Sequence, residues 1–210
     1  MLLWEPSETL KQQAALTTYM QWLARERGLY FDDQAALWQW SVEQLEDFWA
    51  SLWDFFHVQS SQPYTSVLSS HIMPGAQWFP GSMLNYAEHT FRQASSKQPA
   101  LLFKSERHAL QEISWDELRR KTGAVANALR KLGVKRGDRV VSYMPNIPET
   151  LVAFLACASL GAIWSSCSPG FGPRSVIERF QQFVPVLLFA VDGFQYAGTA
   201  LVRCATVSEI

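Results

Sequence analysis

The residues best placed to do chemistry are Gly170-Phe171-Gly172, which follow the expected strand Ala162 to Ser166 and precede Pro173. A glycine loop between a strand and a helix sets backbone N–H groups at the helix N-terminus, an arrangement suited to phosphate. The pair fits part of a G-x-G-x-x-G dinucleotide fingerprint, but Ser175 stands where a third glycine would allow close helix–strand packing. The only carboxylate available for a ribose after the following strand is Asp192. Two glycines that merely permit a tight turn explain the same residues. Gly170 is expected to take a positive φ or to lie close to other backbone, because a Cβ would crowd the turn.

Other candidates carry less. Met144-Pro145-Asn146-Ile147-Pro148-Glu149 reads as a second strand-to-helix loop, with Asn146 as a turn or cap and Glu149 in a first helical turn. Ser165, Ser166 and Ser168 lack a G-x-S-x-G elbow, and His57, His71, His89 and His108 are scattered without metal-ligand spacing. Cys157, Cys167 and Cys204 form no C-x-x-C pair and read as reduced thiols, small apolar core residues rather than nucleophiles. No catalytic residue and no metal site is assigned.

The elements that must position these residues are legible in part. One helix is expected from an N-cap at Ser7 to a stop at Gly28, and a second from a capping box at Ser41 and Gln44 through Phe56. Residues 57–77 read as an extended connector, and Asn85 starts a short helix through Phe91. From Pro99 the rhythm changes. A strand at 100–103 and a turn at 104–110 precede a helix capped by Ser114 and Glu117, which runs to Leu132 and stops at Gly133. Strands follow at 139–143, 162–166 and 186–191, separated by helices opening at Pro148 and Pro173. Near-continuous apolar strands alternating with single helices predict a parallel α/β sheet.

The chain has 210 residues, 48% of them hydrophobic, and a net charge of −1, which leaves no electrostatic footprint for nucleic acid or an anionic membrane. Leu151 to Trp164 is shorter than the about 20 residues of a membrane span and is interrupted by Gly161. The opening Met1-Leu2-Leu3-Trp4-Glu5-Pro6 has neither a basic region nor a sustained apolar core, so no signal peptide is expected. Seven of nine tryptophans precede residue 80. Such a segment either docks onto something larger through big side chains or has an aromatic core of its own.

Trp78-Phe79-Pro80-Gly81, Leu84-Asn85-Tyr86-Ala87-Glu88, Gly137-Asp138-Arg139-Val140 and Gly161-Ala162-Ile163-Trp164-Ser165-Ser166, in this order, resemble acetoacetyl-CoA synthetases of the adenylate-forming superfamily. Trp4-Glu5-Pro6-Ser7 and Phe48-Trp49-Ala50-Ser51-Leu52-Trp53 resemble the start of that family. The resemblance implies an α/β chain: an N-terminal helical segment, then the first parallel strand–helix layer of a synthetase, incomplete. The expected divisions are 1–92 for the helical and extended segment and 93–210 for the start of the α/β domain. It also implies a cytoplasmic ligase that uses ATP, Mg2+, CoA and acetoacetate through an acyl-adenylate.

The family's Ser/Thr/Gly phosphate loop and catalytic lysine are not matched by any motif in this chain. Residues 1–210 alone are therefore expected to be inactive and to bind none of these ligands. They could instead be a non-catalytic module that assembles with a separately encoded C-terminal remainder, or a small dinucleotide-dependent oxidoreductase. The resemblance further implies that the loop Ser168-Pro169-Gly170 approaches CoA, with Gly170 the matching residue. Tyr196 and Thr199 stand where relatives place a basic contact to the CoA nucleotide.

Overall fold

The computed structural model describes residues 3–210, so Met1 and Leu2 of the opening lie outside the described residues. The chain divides into two compact units, residues 1–84 and 85–210.

The first unit is helical: α1 Glu8–Gln13, α2 Ala15–Arg27, α3 Gln34–Glu43 and α4 Leu45–Phe55. The single helix expected from Ser7 to Gly28 is broken at Ala14, whose ψ of 139° is extended. The Thr17 hydroxyl donates to the Lys11 carbonyl at 2.6 Å, so a side chain competes for a carbonyl that an unbroken helix would use. The expected capping box at Ser41 is also overturned. Asp33 caps α3 by accepting from the Ala36 N–H at 2.8 Å, while the Ser41 hydroxyl sits inside the helix and donates to the Trp38 carbonyl.

Tyr19, Leu23 and Leu37 are buried and packed by Trp22, Trp40, Phe48 and Phe55. Tyr19 meets Phe55 edge-on at 5.1 Å, and its hydroxyl lies 2.5 Å from that of Ser51. Burial raises the Tyr19 phenol above its usual range, partly opposed by the Ser51 bond. The aromatic-rich segment therefore has a core of its own. After α4 the expected extended connector instead runs through bends and turns and doubles back on itself, the Thr65 N–H donating to Pro80 O at 2.9 Å and the Phe79 N–H to Val67 O at 2.8 Å, with an isolated bridge between Leu68 and Trp78.

The second unit opens with α5 Tyr86–Arg92, capped by the Asn85 side chain, and a two-stranded antiparallel pair, β1 Leu101–Phe103 and β2 Gln111–Ile113. Next come α6 Trp115–Lys131, β3 Arg139–Tyr143, α7 Pro148–Leu160, β4 Ile163–Cys167, α8 Pro173–Gln181 and β5 Leu187–Ala190. Strands β3, β4 and β5 form a parallel sheet in the order β4-β3-β5, with Val141 opposite Ser165 on one side and Leu188 on the other. The chain ends with an antiparallel hairpin, β6 Gly193–Tyr196 and β7 Thr199–Val202, and α9 Cys204–Glu209.

The alternation of β3 divides the core. Val140 packs with Ala126, Leu129, Ala156 and Cys157 from α6 and α7. Val141 and Tyr143 pack with Val176 and Phe180 from α8. Helices thus cover both faces, as a doubly wound sheet requires. Among the described residues no helix is long and apolar enough to cross a membrane.

Candidate functional site

Ligands of open parallel sheets bind outside the carboxyl ends of the strands, where the loops gather. Here the β3–α7 loop (144–147), the β4–α8 loop (168–172) and the residues after β5 leave at that edge. A cavity of ≈420 Å3 lies between the β1–β2 loop, the β3–α7 loop and the start of β6, lined among others by Lys104, Arg107, Asn146 and Phe194.

The glycine loop is held from below. Tyr143, the last residue of β3, has no exposed surface, and its hydroxyl lies 2.9 Å from the Pro169 carbonyl and 2.8 Å from that of Phe171. Arg203, the residue before α9, donates its Nε–H to the same Pro169 carbonyl at 2.7 Å. Its guanidinium carbon lies 5.2 Å from the centre of the Phe194 ring, and its Nη1 donates to Val202. Phe171 N–H closes the turn onto Ser168 O at 3.0 Å. Pro169 is buried while Gly170 is exposed. The α8 helix then starts at Pro173, its first turn without a side-chain cap, and Arg174 is ion-paired to Glu178 at 2.8 Å.

Gly170 departs from the conformational expectation. It is absent from the positive-φ residues, and a Cβ added to it would meet only the Ser168 Oγ at 3.5 Å, an ordinary contact. The turn does not demand a glycine there. Neither Tyr143 nor Arg203 was singled out from sequence. Tyr143 read as one more apolar strand residue, and Arg203 lies in a hairpin-to-helix corner that the strand–helix rhythm did not predict.

Tyr196 and Thr199 flank the β6–β7 turn and pair with one another. Its two central amides, Ala197 and Gly198, donate to the two carboxylate oxygens of Glu106 at 2.9 and 2.8 Å. The tip of the hairpin is thus tied to the β1–β2 loop, and its base, through Arg203, to the glycine loop.

Two of the three cysteines are buried as expected, whereas Cys204 is exposed and not a core residue. Burial pushes Cys157 up to about 11, and raises Cys167 against the pull of Arg179. Among the described residues no three His, Cys, Asp or Glu side chains gather to hold a metal ion. His71 contacts Glu46 and His108 the Ser105 hydroxyl.

A dinucleotide fold is not favoured. In that fold the strand before the glycine loop is hydrogen-bonded to the strand after the helix. Here β4 and β5 lie on opposite sides of β3. Asp192 uses its carbonyl to accept from the Arg203 N–H at 2.6 Å, as part of the hairpin-to-α9 corner.

Comparison with known proteins agrees with this geometry. The family model described as AMP-binding enzyme matches residues 88–208, and that of the acetyl-coenzyme A synthetase N-terminus matches 34–90. The solved acetoacetyl-CoA synthetase from Streptomyces lividans is 47% identical with a TM-score of 0.93, covering 100% of this chain and 33% of that one. An acetoacetyl-coenzyme A synthetase from Rhizobium meliloti (strain 1021) is 37% identical over 93% of this chain. Its counterpart from Macaca fascicularis is 39% identical over 94%. The chain spans about 30% of the length of these curated relatives. It belongs to the AMP-binding enzyme family.

Proposed function

We propose that these residues form the N-terminal portion of an acetoacetate–CoA ligase. The complete enzyme would join acetoacetate to CoA at the expense of ATP, through an acyl-adenylate, with release of AMP and pyrophosphate. The observation that carries this reading is the 47% identity and 0.93 TM-score across the whole chain to an acetoacetyl-CoA synthetase. Residues 1–92 would be the helical and extended N-terminal segment and 93–210 the start of the α/β domain. The cytoplasm is the expected compartment.

The donor set present fits part of this chemistry. Adenylate formation needs groups that clamp ATP phosphates and Mg2+, because stabilising that charge is most of the catalysis. Among the described residues no cluster of carboxylate, His or Cys side chains suits Mg2+, and Arg174, in the first turn of the glycine loop's helix, is held by Glu178. These residues are not expected to hold ATP or Mg2+ by themselves.

For CoA the fit is through backbone. Gly170 lies exposed on a loop fixed from below, where it would let the chain of the thiol pass close. The hairpin tip offers Tyr196 and Thr199 in place of a cation, so this chain would hold the CoA nucleotide weakly. A C-terminal remainder would supply the adenylating groups.

The test is a coupled assay for AMP release with acetoacetate, ATP and CoA. Residues 1–210 alone should show no turnover. A chimera in which they replace the matched third of the Streptomyces lividans enzyme should turn over acetoacetate. Turnover by residues 1–210 alone, lost on heating, would overturn the assignment of the adenylating groups to the remainder. A folded but inactive chimera would overturn the ligase reading itself.

A further inference from the structure

We propose that Tyr143 and Arg203 are positioning residues that set the glycine loop through one shared acceptor, the Pro169 carbonyl. The two donors come from separate elements. Tyr143 ends the central strand, while Arg203 leaves the last hairpin strand; they lie 2.9 and 2.7 Å from the same oxygen.

Chemistry divides the work between them. A tyrosine hydroxyl has one proton, yet Tyr143 Oη lies within hydrogen-bond distance of both the Pro169 and the Phe171 carbonyls. A guanidinium N–H makes a charge-assisted bond and holds Pro169 O the more strongly. With Arg203 holding Pro169 O, the single Tyr143 proton is shared between the Pro169 and Phe171 carbonyls. With Ser168 O taken by Phe171 N–H, the carbonyls of Ser168, Pro169 and Phe171 are all engaged within the protein. None of them competes at the outer face of the loop, where Gly170 is exposed.

Arg203 also carries the state of the hairpin to the loop. Its guanidinium lies over Phe194 of β6, its Nη1 bonds Val202 of β7, and its backbone N–H bonds Asp192 O. A shift of the hairpin base therefore moves the donor that fixes Pro169. That the loop serves CoA rests on the proposed function; that these two side chains set its shape does not.

The experiment uses the 210-residue chain without ligand. Carbonyl and amide NMR is recorded on Tyr143→Phe, Arg203→Lys, Arg203→Met and the Tyr143→Phe/Arg203→Met pair, alongside hydrogen exchange. Arg203→Met should move the Pro169 carbonyl resonance upfield and speed Phe171 amide exchange about tenfold, the effect of roughly one hydrogen bond. Arg203→Lys, which keeps the charge but loses the planar fork, should recover part of that protection.

The double variant should differ from the sum of the singles, because the two donors share an acceptor. Unchanged Val140 and Val141 amides report an intact sheet, and if Tyr143→Phe does not fold, the two Arg203 variants decide alone. An unmoved Pro169 carbonyl with unaltered Phe171 exchange in Arg203→Met would overturn the proposal. No CoA enters this test, so its failure leaves the ligase reading standing, and an inactive chimera leaves this inference standing.

Discussion

The hydroxyl of Tyr143 and the carbonyl of Pro169 lie 2.9 Å apart although 26 residues separate them in the chain. The bond ties the end of the central strand to the loop after its neighbour, so the loop's shape is set by the sheet. Tyr143→Phe keeps the buried ring and removes the donor. It should lower stability by about 0.5–1.5 kcal/mol, measured by urea unfolding. A loss above about 3 kcal/mol would mean that the ring packing, not the hydroxyl, was disturbed.

Ser142 offers the opposite case. It is fully buried one residue earlier in β3, and its hydroxyl has no hydrogen-bond partner. An unsatisfied buried hydroxyl costs free energy, so Ser142→Ala should leave stability unchanged or raise it by up to about 1 kcal/mol. A clear loss in the same urea measurement would show that the hydroxyl has a partner.

Glu106 should act locally. Both of its carboxylate oxygens accept from the β6–β7 turn amides, but it is exposed, so Glu106→Ala should cost less than about 1 kcal/mol of global stability. Exchange at Ala197 and Gly198 should nevertheless accelerate, while Val140 and Val141 stay protected. Unaltered exchange at the turn would show that the hairpin holds its own tip.

Cys157 makes stability depend on alkaline pH. Burial lifts its thiol from 9.0 to about 11, so the folded state keeps a proton that the unfolded state releases. The contribution is fully present below pH 9 and is lost as pH rises from 9 towards 11. Cys157→Ala should flatten that fall in unfolding midpoint against pH. An identical slope in the variant would assign the fall to other groups.

The parallel sheet was legible because it rests on short-range signals. Apolar runs gave β3, β4 and β5; Pro148 and Pro173 opened α7 and α8; and Gly161 ended α7 with a φ of 69°. The break at Ala14 was hidden because no proline or glycine marks it, and the threonine hydroxyl that takes the Lys11 carbonyl there carries no local breaking signal. The final hairpin was missed for a related reason. Its requirement for glycine is tertiary: a Cβ on Gly193 would meet the Leu201 carbonyl oxygen at 2.6 Å across the pair. Half of the candidate site was legible in the same way. The glycine loop follows local rules, whereas Arg203 reaches it only because the hairpin returns the chain 34 residues later.

The central claim is that the Gly170 loop serves the thioester-forming half of a ligase reaction. Gly170→Val is a clean probe, since nothing but the Ser168 Oγ lies near the added Cβ and φ is not left-handed. The measurement compares acetoacetate-dependent ATP–pyrophosphate exchange with CoA-dependent AMP release in the chimera with the Streptomyces lividans remainder. The predicted result is exchange retained and CoA-dependent release lost by about tenfold or more, the effect of removing one close backbone approach. Equal loss in both half-reactions, or loss in neither, would contradict it.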